Sequence, residues 1–172
     1  MHTIQSPLPH FNDRPADTIV DTLVIHSIYA ISTPTPLDPV ACIKALDEHK
    51  VSSHYLISQE GKIYLLVPEN KRAWHAGVSK MPFSDDTREN VNDFSIGIEL
   101  VASPESGFSH AQYLALSDLT ADMATRHQIK NIVGHDRIAP GRKTDPGDCF
   151  AWATYSKCLA ERSVTVRMTE KC

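Results

Sequence analysis

Apolar and polar positions follow two different rhythms along this chain. The opening stretch to about residue 21 is rich in Pro, Asn and Asp and reads as an extended arm. Thr22–Ile28 (TLVIHSI) is then a β-branched, aliphatic run that predicts a buried strand carrying one histidine, His26. After the proline-rich ISTPTPLDP, the segment VACIKALDEHK places Val40, Ile43, Ala45 and Leu46 near helical spacing. SSHYLIS and KIYLLVP flank Gln59, Glu60 and Gly61, a pattern that predicts an antiparallel hairpin.

Residues 70–92 hold too many polar and turn residues for a core element, so they read as a surface loop carrying Trp74 and His75 within WHAG. FSIGIELVA is another apolar strand, with Glu99 where a hydrophobic side chain is expected. Over 110–127, Ala111, Leu114, Leu116, Leu119, Met123 and Ala124 fit an amphipathic helix. NIVGH predicts a short strand ending at His135, followed by the irregular loop DRIAPGRKTDPGDCF and a last helix over 151–162. The order predicts a mixed α/β fold, a central sheet flanked by helices. One domain over 22–163 follows, with an arm over 1–21 before it and a tail over 164–172 after it.

Composition narrows the function classes. The net charge is -4 and the 17 basic residues are scattered, so no footprint for a nucleic acid is present. No apolar run is long enough to cross a bilayer. The amino terminus MHTIQSPLPHFNDRP lacks the basic and apolar regions of a secretory signal, so a cytoplasmic location is expected. The expected oligomeric state is a monomer. Cys42, Cys149, Cys158 and Cys172 show no CxxC spacing and read as free thiols.

His26, Glu99 and His135 are polar groups on apolar strands, where an unpartnered imidazole or carboxylate is costly. Two imidazoles and a carboxylate, with a fourth position left to water, make a catalytic zinc site. Asp145 is the natural third ligand, since a turn at Pro140 and Gly141 allows its carboxylate to return beside His135. Cys149 is a rival thiolate ligand close by in sequence. His2, His10, His49, His110 and His127 lie in polar arms or on helix surfaces and are set aside.

VIHS, SSHYLI, RAWHAG, NDFSIGIEL and GHDRIAPGRKTDPG, in that order, resemble the type 2 N-acetylmuramoyl-L-alanine amidases, notably the AmpD-type muropeptide amidases. The resemblance covers residues 23–152 and makes 22–163 an amidase catalytic domain. It implies one zinc ion held by His26, His135 and Asp145, with Glu99 and Lys143 as the catalytic pair. It also implies that Cys149 is a packed thiol, and that the partner is peptidoglycan or a muropeptide.

Trp74, His75, Ser53, His54 and Arg88 are the candidate substrate contacts. Ser53 occupies the place where some phage relatives carry a catalytic tyrosine. Asn90 stands where AmpD-type enzymes carry an arginine for the stem-peptide carboxylate, which leaves Arg88 as the substitute. A non-catalytic peptidoglycan-binding module is the alternative reading, and retention of all five catalytic and ligand residues counts against it. Release to the cell wall, as for a phage lysin, is the alternative to a cytoplasmic role. A zinc peptidase is disfavoured by the lack of HExxH.

Overall fold

Two apolar faces on one strand organise this molecule. A computed structural model describes residues 2–31 and 33–169. Its elements are β1 (Ile4–Gln5), β2 (Phe11–Asp13), β3 (Thr22–Ile28), α1 (Pro39–Glu48), β4 (Tyr55–Ile57), β5 (Ile63–Leu65) and β6 (Lys71–Ala73). After a 3-10 turn at Val91–Asp93 come β7 (Ser95–Val101), α2 (His110–Ala124), β8 (Asn131–Gly134), α3 (His135–Ile138), α4 (Trp152–Ala160) and β9 (Arg167–Met168). A mixed seven-stranded sheet runs β1-β5-β4-β7-β3-β8-β9, antiparallel only between β4 and β5, and β2 pairs with β6 in a separate ribbon.

Alternation along the strands splits the core. Leu23 and Ile25 of β3, with Ile96, Ile98 and Leu100 of β7, meet Leu116, Leu119 and Met123 of α2 and Tyr155 and Leu159 of α4. On the other face, Leu56 and Val101 pack under Cys42 and Leu46 of α1. Beside them Val24 and Val133 pack under Ala76, Met81, Val91 and Phe94. His26 and Glu99, in register with each other, belong to this second face.

The predicted strand Thr22–Ile28, the hairpin and the helices at α1, α2 and α4 are present, and the differences have local causes. Residues 70–92 are not merely a surface loop: they include β6, and Ala73, Ala76, Met81 and Val91 are buried. The arm contributes β1 to the sheet and β2 to the ribbon, and the tail contributes the edge strand β9. In α2, Leu114 is 37% exposed while Gln112, Ser117 and Thr120 are buried. Ser109 and Gln112 form a capping box there, and Thr120 meets the Tyr155 hydroxyl at 2.6 Å, so these polar groups are satisfied.

Candidate metal centre and active site

β3 carries His26 near the carboxyl ends of the parallel strands, next to Glu99 on β7. β8 stops at Gly134, so His135 is the first residue of α3 and not the last of the strand. A Cβ at Gly134 would lie 2.3 Å from Asp136 Oδ1 and 3.0 Å from Pro146 Cδ, so a side chain here would have to displace the Asp136 carboxylate. The loop after α3 then doubles back, and the Asp136 N–H donates to the Asp145 carbonyl at 2.8 Å. That bond returns the Asp145 side chain to the two imidazoles.

His26 Nδ1 and His135 Nδ1 are 3.0 Å apart, and they lie 3.0 and 3.1 Å from Asp145 Oδ2. Both rings are buried, and these three side chains are a group able to hold a metal ion. Burial, and then His135 beside it, pushes His26 down to about 4, so its ring is neutral at pH 7. Burial works to raise the Asp145 carboxyl, but the two imidazoles outweigh it and hold it well below the usual carboxylate range. His135 Nε2 lies 3.1 Å from the Ala76 carbonyl, which only accepts, so Nε2 carries the proton and Nδ1 faces the cluster bare. An anionic oxygen and imidazole lone pairs converging at 3 Å form a donor set suited to a cation.

Glu99 is buried beside them, and its Oε2 has no hydrogen-bond partner among the described residues. Burial, and then the Asp145 anion, pushes its carboxyl up to about 8. Lys143 is exposed on the loop, its ammonium near enough to Glu99 and His26 to oppose part of the first shift and add to the second. A cleft of about 440 Å³ opens beside Asp145, lined in part by Ser27, Tyr29, Pro104, Phe108 and Cys149. Cys149 is exposed on that wall and not packed, and it lies outside the metal-ligand group. Cys42, Cys149 and Cys158 are free thiols, while Cys172 lies outside the described residues.

The remaining candidates are placed elsewhere. Arg88 pairs with Asp21 and Asp86 and covers the Phe94 ring at 4.0 Å. Asp21 precedes β3, five residues before His26, so Arg88 stands at the opposite end of the strand, roughly 16 Å away at the usual rise. Its ion pairs tie it there, which removes it as a stand-in for the missing arginine. Asn90 has φ 56, a left-handed conformation that asparagine tolerates better than arginine. Ser53 and His54 are fully buried. His54 accepts the Gly97 N–H at Nδ1 and donates from Nε2 to the Lys71 carbonyl, so it ties strands together instead of facing substrate. Trp74 donates from Nε1 to Asn12 at the surface, whereas His75 is buried with Nδ1 3.1 Å from His26 Nε2.

Arg14 and Asn92 were not foreseen. Arg14 donates to the carbonyls of Glu69, Asn92, Asp93 and Ser95, and the Asn92 side chain accepts the backbone N–H groups of His75 and Ala76. Nothing in a polar arm or a VND tripeptide marks such roles.

With this geometry established, residues 15–148 match the profile of the family described as N-acetylmuramoyl-L-alanine amidase. The chain belongs to that amidase family. A curated relative, the 1,6-anhydro-N-acetylmuramyl-L-alanine amidase AmpD of Citrobacter freundii, is 41% identical over 173 residues, covering 91% of this chain and 90% of that protein. The crystal structure of a selenomethionine AmpD derivative superposes with a TM-score of 0.77 at 38% identity, over 91% of this chain and 94% of that one. The AmiD amidase from E. coli superposes with a TM-score of 0.67 at 32% identity, over 84% of this chain and 60% of that one. Its structure holds the substrate anhydro-N-acetylmuramic acid-L-Ala-D-gamma-Glu-L-Lys. The amidase is therefore a hydrolase of the amide between an N-acetylmuramoyl group and L-alanine.

Proposed function

We propose that the amidase is a one-zinc enzyme whose preferred substrate is a soluble anhydro-muropeptide. The carrying observation is the convergence of His26, His135 and Asp145 with Glu99 beside them. Ligands around a tetrahedral zinc at about 2.0–2.1 Å stand about 3.3 Å apart, close to the spacing of these atoms. Three protein ligands leave a position open, as catalytic zinc sites do. Bound there, zinc supplies the means to acidify a water and polarise the scissile carbonyl.

Glu99 is the general base in this reading. Its carboxylate, favoured by the charge of a bound metal over the protonated form of the metal-free protein, takes the proton of the attacking water and delivers it to the amine of L-alanine as the C–N bond breaks. Lys143 balances the negative charge that develops on the carbonyl oxygen. The cleft beside Asp145 has the volume of a small-molecule site and would take the muramoyl or peptide portion. The AmpD relatives named for the 1,6-anhydro substrate, and the AmiD complex with an anhydro-muramoyl peptide, support a soluble fragment over the intact wall.

The test is incubation of zinc-loaded protein with intact sacculi and with soluble anhydro-muropeptide, followed by mass analysis of products. Free peptide is expected mainly from the soluble substrate. Equal release from sacculi overturns the preference, and release from neither overturns the reading as a whole.

A further inference from the structure

We propose that the His75–Ala76 dipeptide is the positioning element of the metal centre, holding both imidazole ligands in the tautomer that offers Nδ1. The proposal rests on the zinc reading above. It replaces the sequence expectation that His75 faces substrate.

The protons can be followed outward from an unambiguous acceptor. Ser95 Oγ lies 2.6 Å from the Val91 carbonyl, which only accepts, so the single hydroxyl proton points there. The hydroxyl then accepts from His75 Nε2 at 3.2 Å, so that nitrogen carries the His75 proton. His75 is buried and its ring nitrogens face only a hydroxyl and another imidazole, with no carboxylate among the described residues to hold a second proton, so the one ring proton on Nε2 leaves Nδ1 bare. That bare nitrogen lies 3.1 Å from His26 Nε2 and fixes the His26 proton on Nε2. His26 Nδ1 is left free toward Asp145 and His135. The neighbouring residue acts on the other ligand: the Ala76 carbonyl takes the Nε2–H of His135 at 3.1 Å.

The surroundings are built to keep this dipeptide in place. Asn92 Oδ1 accepts both of its backbone N–H groups, at 3.2 and 2.8 Å. Arg142 donates to the Ala76 carbonyl at 2.6 Å and to the Val78 carbonyl at 2.7 Å. At Gly97 an added Cβ would meet His75 Cγ at 2.5 Å, so the imidazole occupies space that only glycine on β7 leaves open. Partners that orient ligating histidines typically contribute 10–100-fold to metal affinity, and His75 stands in that relation to His26.

The experiment measures zinc affinity by competition with a chromogenic chelator, together with thermal melts of the metal-free proteins. His75→Leu is expected to bind zinc roughly 10–100-fold more weakly. His75→Gln retains an acceptor and a donor and should recover part of that loss. His54→Gln, at a buried imidazole outside the relay, should keep wild-type affinity.

Folded His75→Leu with wild-type zinc affinity overturns the proposal, as does an equal loss in His54→Gln. Long-range 1H–15N spectra of wild-type imidazoles give an answer that does not depend on how the variants fold. Nε2-bound protons on His75, His26 and His135 are expected, and a neutral His75 protonated at Nδ1 overturns the relay. Wild-type protein that takes up no zinc overturns the zinc reading instead, and the His75 proton remains readable in that case.

Discussion

Glu99 pays twice for its place on β7, in a costly burial and in an oxygen without a partner among the described residues. Its carboxyl lies at about 8 in the folded metal-free protein against about 4.5 in the unfolded chain. The folded state holds the extra proton, so stability is fully present below about pH 4.5 and is lost as pH rises through 8. Glu99→Gln removes that loss. In melts of the metal-free protein the variant should gain over wild type progressively from pH 5 to pH 8 and gain nothing at pH 4. Turnover of the zinc-loaded variant should fall by about 10²–10⁴-fold with zinc content unchanged. A variant as active as wild type removes Glu99 from the chemistry. His26 and Glu99 were legible in the sequence because a polar residue inside an aliphatic run violates a strong pattern. Ser95 and Asn92 were not, because a serine opening a strand and an asparagine in a turn violate none.

At the scale of elements, the decisive piece is the segment from β6 to β7, where sequence reasoning was weakest. Strand and helix periodicities made β3, the β4–β5 hairpin and α1 readable, since each buries a regular face. Residues 70–92 bury single small or flexible side chains, Ala73, Ala76 and Met81, between polar neighbours, and no period survives that arrangement. Their order depends on side chains from elsewhere. Arg14, in the arm, donates to four carbonyls of residues 69–95, so Arg14→Met should lower unfolding free energy by roughly 2–4 kcal/mol in a denaturant titration, because those acceptors are left without their partner. A change under 0.5 kcal/mol would show that water replaces it. Gly97→Ala acts on the same segment from beneath. The new methyl displaces the His75 ring, and zinc affinity should drop about as far as in His75→Leu. Wild-type affinity in Gly97→Ala would mean that the ring moves without consequence for His26.

For the whole molecule, the metal and the fold are expected to separate. Three apolar clusters bury the sheet on both faces, and none is built from the ligand side chains, so the chain has a core that does not depend on a metal. Removing zinc with a chelator should therefore leave a cooperative melt, at a lower midpoint. With free zinc at about 100 times its dissociation constant the bound form gains about 2.7 kcal/mol, or roughly 5–10 °C for a chain of this size. Acid should erode what remains. Burial, and then Arg14, pushes His54 down to about 3, and burial pushes His26 down to about 4. Burial works to raise Glu69, but hydrogen bonds from Arg126, Tyr55 and His127 hold it at about 2. In each case the unfolded chain takes up the proton first, so the stability these groups contribute is present above their unfolded values and declines as pH falls from about 6.5 toward 2. Glu99 works the other way between pH 8 and 4.5, but the two imidazoles outweigh one carboxyl, so midpoints of the metal-free protein should drop below pH 6.5. The increment from zinc should shrink as pH falls toward about 4, where protons begin to compete for the His26 nitrogen. Circular dichroism melts with and without chelator from pH 4 to pH 8 test both statements. Loss of the cooperative transition on chelation at pH 8 would make the metal centre structural as well as catalytic.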